Sequence, residues 1–302
     1  MIALSTCWQS PVAQSGRDLA ARLKSMGFDE VELEYRITPE MYAELLTEIQ
    51  AGSIHPVSIH NYFPAPKVAP QPGGEVWSFS SEDAEERRTA VDYTKRAIEL
   101  AGEVGARAVI VHCGQITMDP RTNELRELFD GGQIETRTGR RVVDEIRAER
   151  DAKKEHPLKR IQECLEQLAV AAEKAGVKIG LENRYYAHEI PSSDDLTVLL
   201  ESVDNDTIGY WHDVGHAAVQ ENLGLDSQTS LLGRFRDKTI GVHLHDVRGY
   251  DDHLAPGTGE VDFAFIKENL PPDVIQVLEV QPGVTPTQMR AGLAHLAKAG
   301  IS

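Results

Sequence analysis

His-Leu-His-Asp-Val-Arg-Gly-Tyr-Asp-Asp-His-Leu-Ala-Pro-Gly-Thr-Gly-Glu-Val-Asp, residues 243–262, decides how the rest of the chain is read. It leaves a buried apolar strand, Ile240 to Leu244, and ends in a Gly/Pro turn. Between them stand His243, His245, Asp246, Asp251, Asp252 and His253. Neutral imidazole and carboxylate together form the ligand set of zinc or manganese. A solvated polar loop is the ordinary alternative, so the reading turns on where other chemistry-bearing residues fall.

Working outward, short apolar, β-branched runs alternate with amphipathic stretches. The strands are expected at Ile2–Ser5, Glu30–Tyr35, Val57–His60, Ala108–His112, Val177–Glu182, Thr207–Asp213, Thr239–Leu244 and Val274–Val280. Glycines at 27, 105 and 176 end helices between them, and Pro39 opens one. Strands covered on both faces read as nearly continuous apolar runs, and strand–helix alternation implies right-handed βαβ crossovers. Eight repeats in 302 residues predict one (β/α)₈ TIM barrel domain, residues 1–302, a fold of ~250 residues or more. Two segments stand outside the repeat. Asn61–Ser81 is a long Pro/Gly loop with interleaved aromatics, expected to be a substrate lid. Residues 115–155 are highly charged and predict a helical insertion after the fourth strand.

In a parallel barrel all strand C-termini emerge at one face, where catalytic residues gather. His60, His112, Glu182, Asp213, His243 and Glu279 lie at or near the ends of strands three to eight. His216, Asp251 and His253 follow in the loops. Nine side chains are therefore expected to converge. Singly, each has a plainer role open to it: His60 and His112 as core histidines, Glu182 as a solvated strand end, Asp213 as a helix cap. His212 and His245 are read as turning away from their neighbours, and Asp246 as a group behind the ligands.

The bulk numbers narrow the partners. A formal net charge of −17 argues against a broad phosphate-backbone contact and for a small-molecule substrate. One basic run, Arg137, Arg140, Arg141, Arg147, Arg150, Lys153, Lys154, Lys159 and Arg160, is read as a solvated helix face that could overhang the site. Three scattered cysteines without a CxxC suggest a reduced, cytoplasmic setting. No secretory leader or membrane span is expected, and a homo-oligomer is left open.

Leu-Glu-Asn at 181–183, Asp-Val-Gly-His at 213–216, His-Leu-His-Asp at 243–246, Pro-Gly-Thr-Gly-Glu-Val-Asp-Phe at 256–263 and Leu-Glu-Val at 278–280 resemble the xylose-isomerase-like TIM barrels, which include sugar-phosphate isomerases, epimerases and endonuclease IV. The first half matches mainly by strand pattern, His60 and His112. The isomerase and epimerase branch implies one metal held by Glu182, Asp213, His243 and Glu279. The endonuclease branch implies three zincs, with His60, His112, His216, Asp251 and His253 added. The resemblance implies a cofactor of one to three Zn²⁺ or Mn²⁺ ions.

The expected function is isomerisation or epimerisation of a small sugar, polyol or sugar phosphate, with Glu182 and Glu279 moving a proton through an enediolate. His216 and Arg184 are expected to bind substrate, and Tyr62, Phe63, Trp8 and Trp211 to wall the pocket. The alternative is a multinuclear-zinc hydrolase of a phosphodiester or another ester. A non-catalytic sugar-binding barrel fits the buried acids poorly.

Overall fold

In the computed structural model, which describes residues 1–203 and 206–302, eight parallel strands close on themselves. They are β1 (Ile2–Ser5), β2 (Glu30–Leu33), β3 (His55–His60), β4 (Ala108–Val111), β5 (Lys178–Glu182), β6 (Ile208–Asp213), β7 (Thr239–Leu244) and β8 (Ile275–Leu278), paired in chain order with β8 returning to β1. Each lies at an expected position, within two residues at either end. Ala108–Val111 is buried throughout, as a strand packed on both faces must be.

Helices α1 (Gly16–Ser25), α2 (Pro39–Gln50) and α3 (Ala84–Val104) cover the first half. The insertion contributes α4 (Thr122–Asp130) and α5 (Arg137–Lys153), followed by α6 (Glu155–Ala175), α7 (Ser193–Leu200), α8 (Val214–Asn222), α9 (Gln228–Phe235), α10 (Phe263–Asn269) and α11 (Pro286–Lys298). Side-chain caps from Ser15, Thr38 and Asp83 satisfy the first turns of α1 to α3.

Three apolar clusters hold the fold. The largest lies between barrel and helices. A second seats the insertion: Leu125, Val142 and Ile146 pack against Val219, Leu223 and Val247. The third, Ala3, Val57, Ala108, Ile110, Trp211, Ile275 and Val277, fills the barrel interior. Trp211 is fully buried there, and a Cβ at Gly241 would lie 2.0 Å from its ring. The glycine is what lets the indole span the barrel.

The loop after β7 is an antiparallel pair of Asp246–Arg248 with Asp251–Leu254. It turns at Gly249, φ 62°. The loop 61–81 carries no helix or strand, as read, but Tyr62, Phe63 and Phe79 are buried in the main core. Those three aromatics anchor the segment expected to be a substrate lid.

Candidate metal centre

Parallel register brings the ends of β5, β6 and β7 level: Glu182 pairs with Trp211 and Asp213 with His243. Glu279 continues the ladder past β8, its amide donating to the Leu244 carbonyl at 3.1 Å. Glu182, Asp213, His243 and Glu279 consequently meet, with one ligand atom from each inside a mutual distance of 4.8 Å. All four are buried. Nδ1 of His243 is 3.0 Å from both Glu182 Oε1 and Glu279 Oε2, and 3.6 Å from Asp213 Oδ2.

Tautomers tell which nitrogens are free to bind an ion. Nε2 of His243 faces Glu32 Oε2 at 3.1 Å, so it donates there, and Nδ1 directs its lone pair at the three carboxylates. A carboxylate behind a ligating imidazole is the usual means of fixing that orientation. His60 Nδ1 lies 3.0 Å from the Asn61 carbonyl, which can only accept. Its Nε2 is then a lone pair facing Glu182 Oε2 at 3.4 Å. His216 repeats the pattern: Nδ1 donates to the Asn183 carbonyl at 3.1 Å, leaving Nε2 toward Asp252 Oδ2 at 3.7 Å. Lone pairs facing one another repel unless a proton or a cation lies between them, so the donor set fits a divalent metal.

Without an ion, protons on the imidazoles take its place, and the same contacts become hydrogen bonds. Burial alone would depress the pKa of His243, but the charges of Glu279 and Glu32, with hydrogen bonds to Asp213 and Glu182, raise it well above the usual value. Burial alone would raise Glu182, and hydrogen bonds from His112, His243 and His60 instead hold it well below the ordinary carboxylate range. The centre carries surplus negative charge and draws cations.

The supporting residues follow a consistent logic. Asn183 Oδ1 accepts from the Asp213 amide at 2.8 Å, and its Nδ2 donates to the Asp213 carbonyl at 2.9 Å. Asp213 does cap α8, its Oδ1 accepting from the His216 amide at 2.6 Å, while its other oxygen faces the centre. His245 corrects the expectation that it turns away. Residues two apart share a strand face, and His245 sits above His243 with Nε2 3.0 Å from both Asp213 oxygens. Its Nδ1 accepts from the His253 amide at 2.9 Å, so Nε2 carries the proton and His245 orients Asp213. Asp246 is also corrected: it accepts from the amides of Val247, Gly257, Gly259 and Val261 and organises the turn beyond the hairpin.

A family model for xylose isomerase-like TIM barrels matches residues 20–299. The chain belongs to the xylose isomerase-like TIM barrel family. A D-tagatose 3-epimerase-like protein superposes with TM-score 0.70 at 19% identity, covering 99% of this chain and 96% of that one. The IOLI protein with a bound zinc atom gives 0.60 at 15%, covering 99% and 96%. The uncharacterized protein y4fM of Sinorhizobium fredii is 26% identical over 240 residues, 78% of this chain and 64% of that one. This chain thus spans less than two thirds of that relative's length.

The remaining expected residues of this xylose isomerase-like barrel divide. His60, His112 and Glu182 form a second group within the same 4.8 Å limit, and His216, Asp252 and His253 a third. Asp251 does not join them. It is exposed, and Asp252 stands in its place, 3.2 Å from His253 Nδ1. Strict alternation would pair Asp251 with His253; His253 instead has φ 55°, off the extended backbone, and its ring lies on the same side as Asp252.

Arg184 is buried and engaged by Glu75, by Glu189 at 3.1 Å and by His112 Nε2 at 2.6 Å. Glu75, on the 61–81 loop, has no signal in the sequence that would have placed it there. Of the four expected wall aromatics, Trp211 lies beneath His243, ring centroids 5.1 Å apart. Trp8, bonded to the Val284 carbonyl at 2.7 Å, Tyr62, bonded to the Trp77 carbonyl at 2.8 Å, and Phe63, edge-on to Tyr42, are buried core side chains. Two aromatics that were not expected also stand edge-on to candidate ligands: Tyr35 to His60 at 5.2 Å and Tyr185 to His216 at 6.1 Å.

The basic run is largely paired within the chain. Arg140 meets Glu135, Arg141 meets Glu145, Lys153 meets Glu149, and Arg147 donates to the Gly224 and Leu225 carbonyls. Arg150 is buried against Asp195, and Arg160 donates to the Ser80 carbonyl. Among the described residues no helix is long and apolar enough to cross a membrane.

Proposed function

We propose that this chain is a divalent-metal-dependent isomerase or epimerase of a small sugar or polyol, acting by proton transfer next to a carbonyl. The observation that carries the reading is the meeting of Glu182, Asp213, His243 and Glu279, one ligand atom from each within 4.8 Å of the others. Those four would hold the ion. When bound, it supplies Lewis-acid polarisation of a substrate carbonyl and its neighbouring hydroxyl, which acidifies the C–H between them. Glu182 and Glu279 enter from β5 and from the end of β8, almost wholly out of water. One carboxylate takes the carbon-bound proton, and the other, protonated from solvent beforehand, gives its proton to the planar carbon; solvent exchange resets the pair. Asp213 and His243 are held still by Asn183, His245 and Glu32, so the two glutamates move protons on a rigid frame. The likeness to a D-tagatose 3-epimerase-like structure supports the sugar class, and the zinc-bound IOLI structure supports a divalent ion.

The test is proton exchange. The zinc- or manganese-loaded protein, incubated in D₂O with free and phosphorylated ketoses, is expected to place deuterium on the carbon beside the carbonyl. Glu182→Gln and Glu279→Gln should abolish this while the fold persists. Full exchange in either variant would remove the two-glutamate scheme.

A second reading, ester hydrolysis at a multinuclear centre, is favoured by the lone pairs of His60 and His112 around Glu182 Oε2. It predicts two or three ions per chain, against one for the epimerase. The net charge of −17 and the internally paired basic run give a nucleic-acid substrate little to bind to.

A further inference from the structure

Glu182 has two working oxygens. Oε1 faces His243 and belongs to the central group. Oε2 faces His112 Nε2 at 2.9 Å and His60 Nε2 at 3.4 Å. Taken alone, His60, His112 and Glu182 would be a second three-ligand cation site beside the first. A cation that belongs to the chain already stands there. Nη1 of Arg184 is 2.6 Å from His112 Nε2 and 3.6 Å from Glu182 Oε2. A guanidinium only donates, so His112 offers it the same lone pair that a metal would need.

Arg184 is also built in. It is buried, and its other arm, Nη2, is gripped by Glu189 at 3.1 Å and by Glu75. Those carboxylates offset the cost of burying a group that stays protonated at any physiological pH. With Nη1 and Nη2 both engaged, the guanidinium is poorly placed to bind substrate oxygens, which was its expected role.

We propose that Arg184 fills the second cation position, between His112 and Glu182, and denies it to a divalent ion. It thereby favours proton transfer over multinuclear hydrolysis. The inference rests on the metal-dependent reading above and deepens it. A divalent ion bound by His60, His112 and Glu182 would lie against a fixed positive charge and compete with it for His112 Nε2. The central ion, on the Oε1 side, meets neither obstacle.

The experiment counts ions. Wild-type protein and variants are loaded with excess zinc, desalted, and analysed for zinc per folded chain, with circular dichroism confirming the fold. Wild type is expected to hold one zinc and Arg184→Gln two. Arg184→Lys, which keeps a cation, should hold one. Adding His112→Ala to Arg184→Gln should return the count to one, locating the gained ion. Arg184→Met serves if the glutamine variant fails to fold. A folded Arg184→Gln or Arg184→Met chain that holds no more zinc than wild type, or a gain that His112→Ala does not remove, would overturn the role of Arg184. If wild type holds one zinc and exchanges solvent deuterium into a ketose, that failure leaves the epimerase reading standing. No bound zinc in wild type removes both.

Discussion

Glu32 lies directly behind His243, its Oε2 3.1 Å from the imidazole Nε2, with both side chains fully buried. Ser58 steadies the same carboxylate with a hydrogen bond of 2.8 Å. The pair sets the imidazole so that Nδ1 points at Glu182, Asp213 and Glu279. Glu32→Ala should therefore weaken metal binding by about 10- to 100-fold, the usual effect of losing a partner behind a ligand. Glu32→Gln, which can still accept from Nε2, should cost less. Competition against a chromophoric chelator measures both, and unchanged affinity in Glu32→Ala would show that packing alone orients His243.

Gly215 opens α8 beneath His245, and a Cβ added there would lie 1.9 Å from the imidazole Cε1. Its neighbours are packed, so the ring must swing away from Asp213. Gly215→Ala is expected to destabilise the fold by about 1–3 kcal/mol through overpacking and to weaken metal binding as Asp213 loses its donor. Denaturant unfolding and the chelator assay separate the two effects. A variant as stable and as tight as wild type would mean that His245 has room to move that the packing does not suggest.

Arg150 carries the insertion's main electrostatic tie to the barrel. It reaches from α5 to Asp195 in the first turn of α7, and its Nη1 donates to the Ala187 carbonyl at 2.6 Å. Asp195 is also half of the box that caps α7, accepting from the Ser192 amide at 2.9 Å. Removing one partner of a buried ion pair strands the other charge, so Arg150→Met or Asp195→Asn should each cost about 3–5 kcal/mol. The double variant should cost less than the sum, because neither charge is then left alone. Additive losses in urea unfolding would show that the two side chains act separately.

The barrel was legible because burial on both faces writes strands as apolar runs, and glycine ends helices wherever a left-handed residue is needed, as at Gly105 and Gly176. The meeting of Glu182, Asp213, His243 and Glu279 was legible for a topological reason: the end of any barrel strand lies at one rim. Misreadings came where a single residue of register matters. His245 shares the His243 face because the chain stays extended beyond Leu244, and Asp252 replaces Asp251 because the backbone at His253, φ 55°, breaks the alternation of the hairpin strand. Glu32 left a usable sign in Glu30-Val31-Glu32-Leu33-Glu34. Once Val31 and Leu33 pack outward, the alternate acids must face the barrel interior. Glu75 left none, since its place depends on the course of a loop with no period of its own.

The hairpin register carries its own test. Asp252 bridges two imidazoles, its Oδ1 3.2 Å from His253 Nδ1 and its Oδ2 3.7 Å from His216 Nε2. Its pKa is held down to about 2: burial opposes ionisation, but the hydrogen bond and charge of His253 outweigh it. Asp251 precedes it, faces solvent and touches none of these groups closely enough to join their cluster. A hydrogen bond to a charged group contributes about 1.5–3 kcal/mol. Asp252→Asn should accordingly lower kcat/KM for solvent exchange about ten- to a hundredfold by freeing both imidazoles at the rim. The same change at Asp251 should stay within about twofold, as expected for an exposed side chain. Steady-state exchange rates of the two variants decide the matter. A larger loss at Asp251 would mean that the hairpin pairs one residue out of step with the register described, and that the endonuclease-type ligand pattern holds at this loop after all.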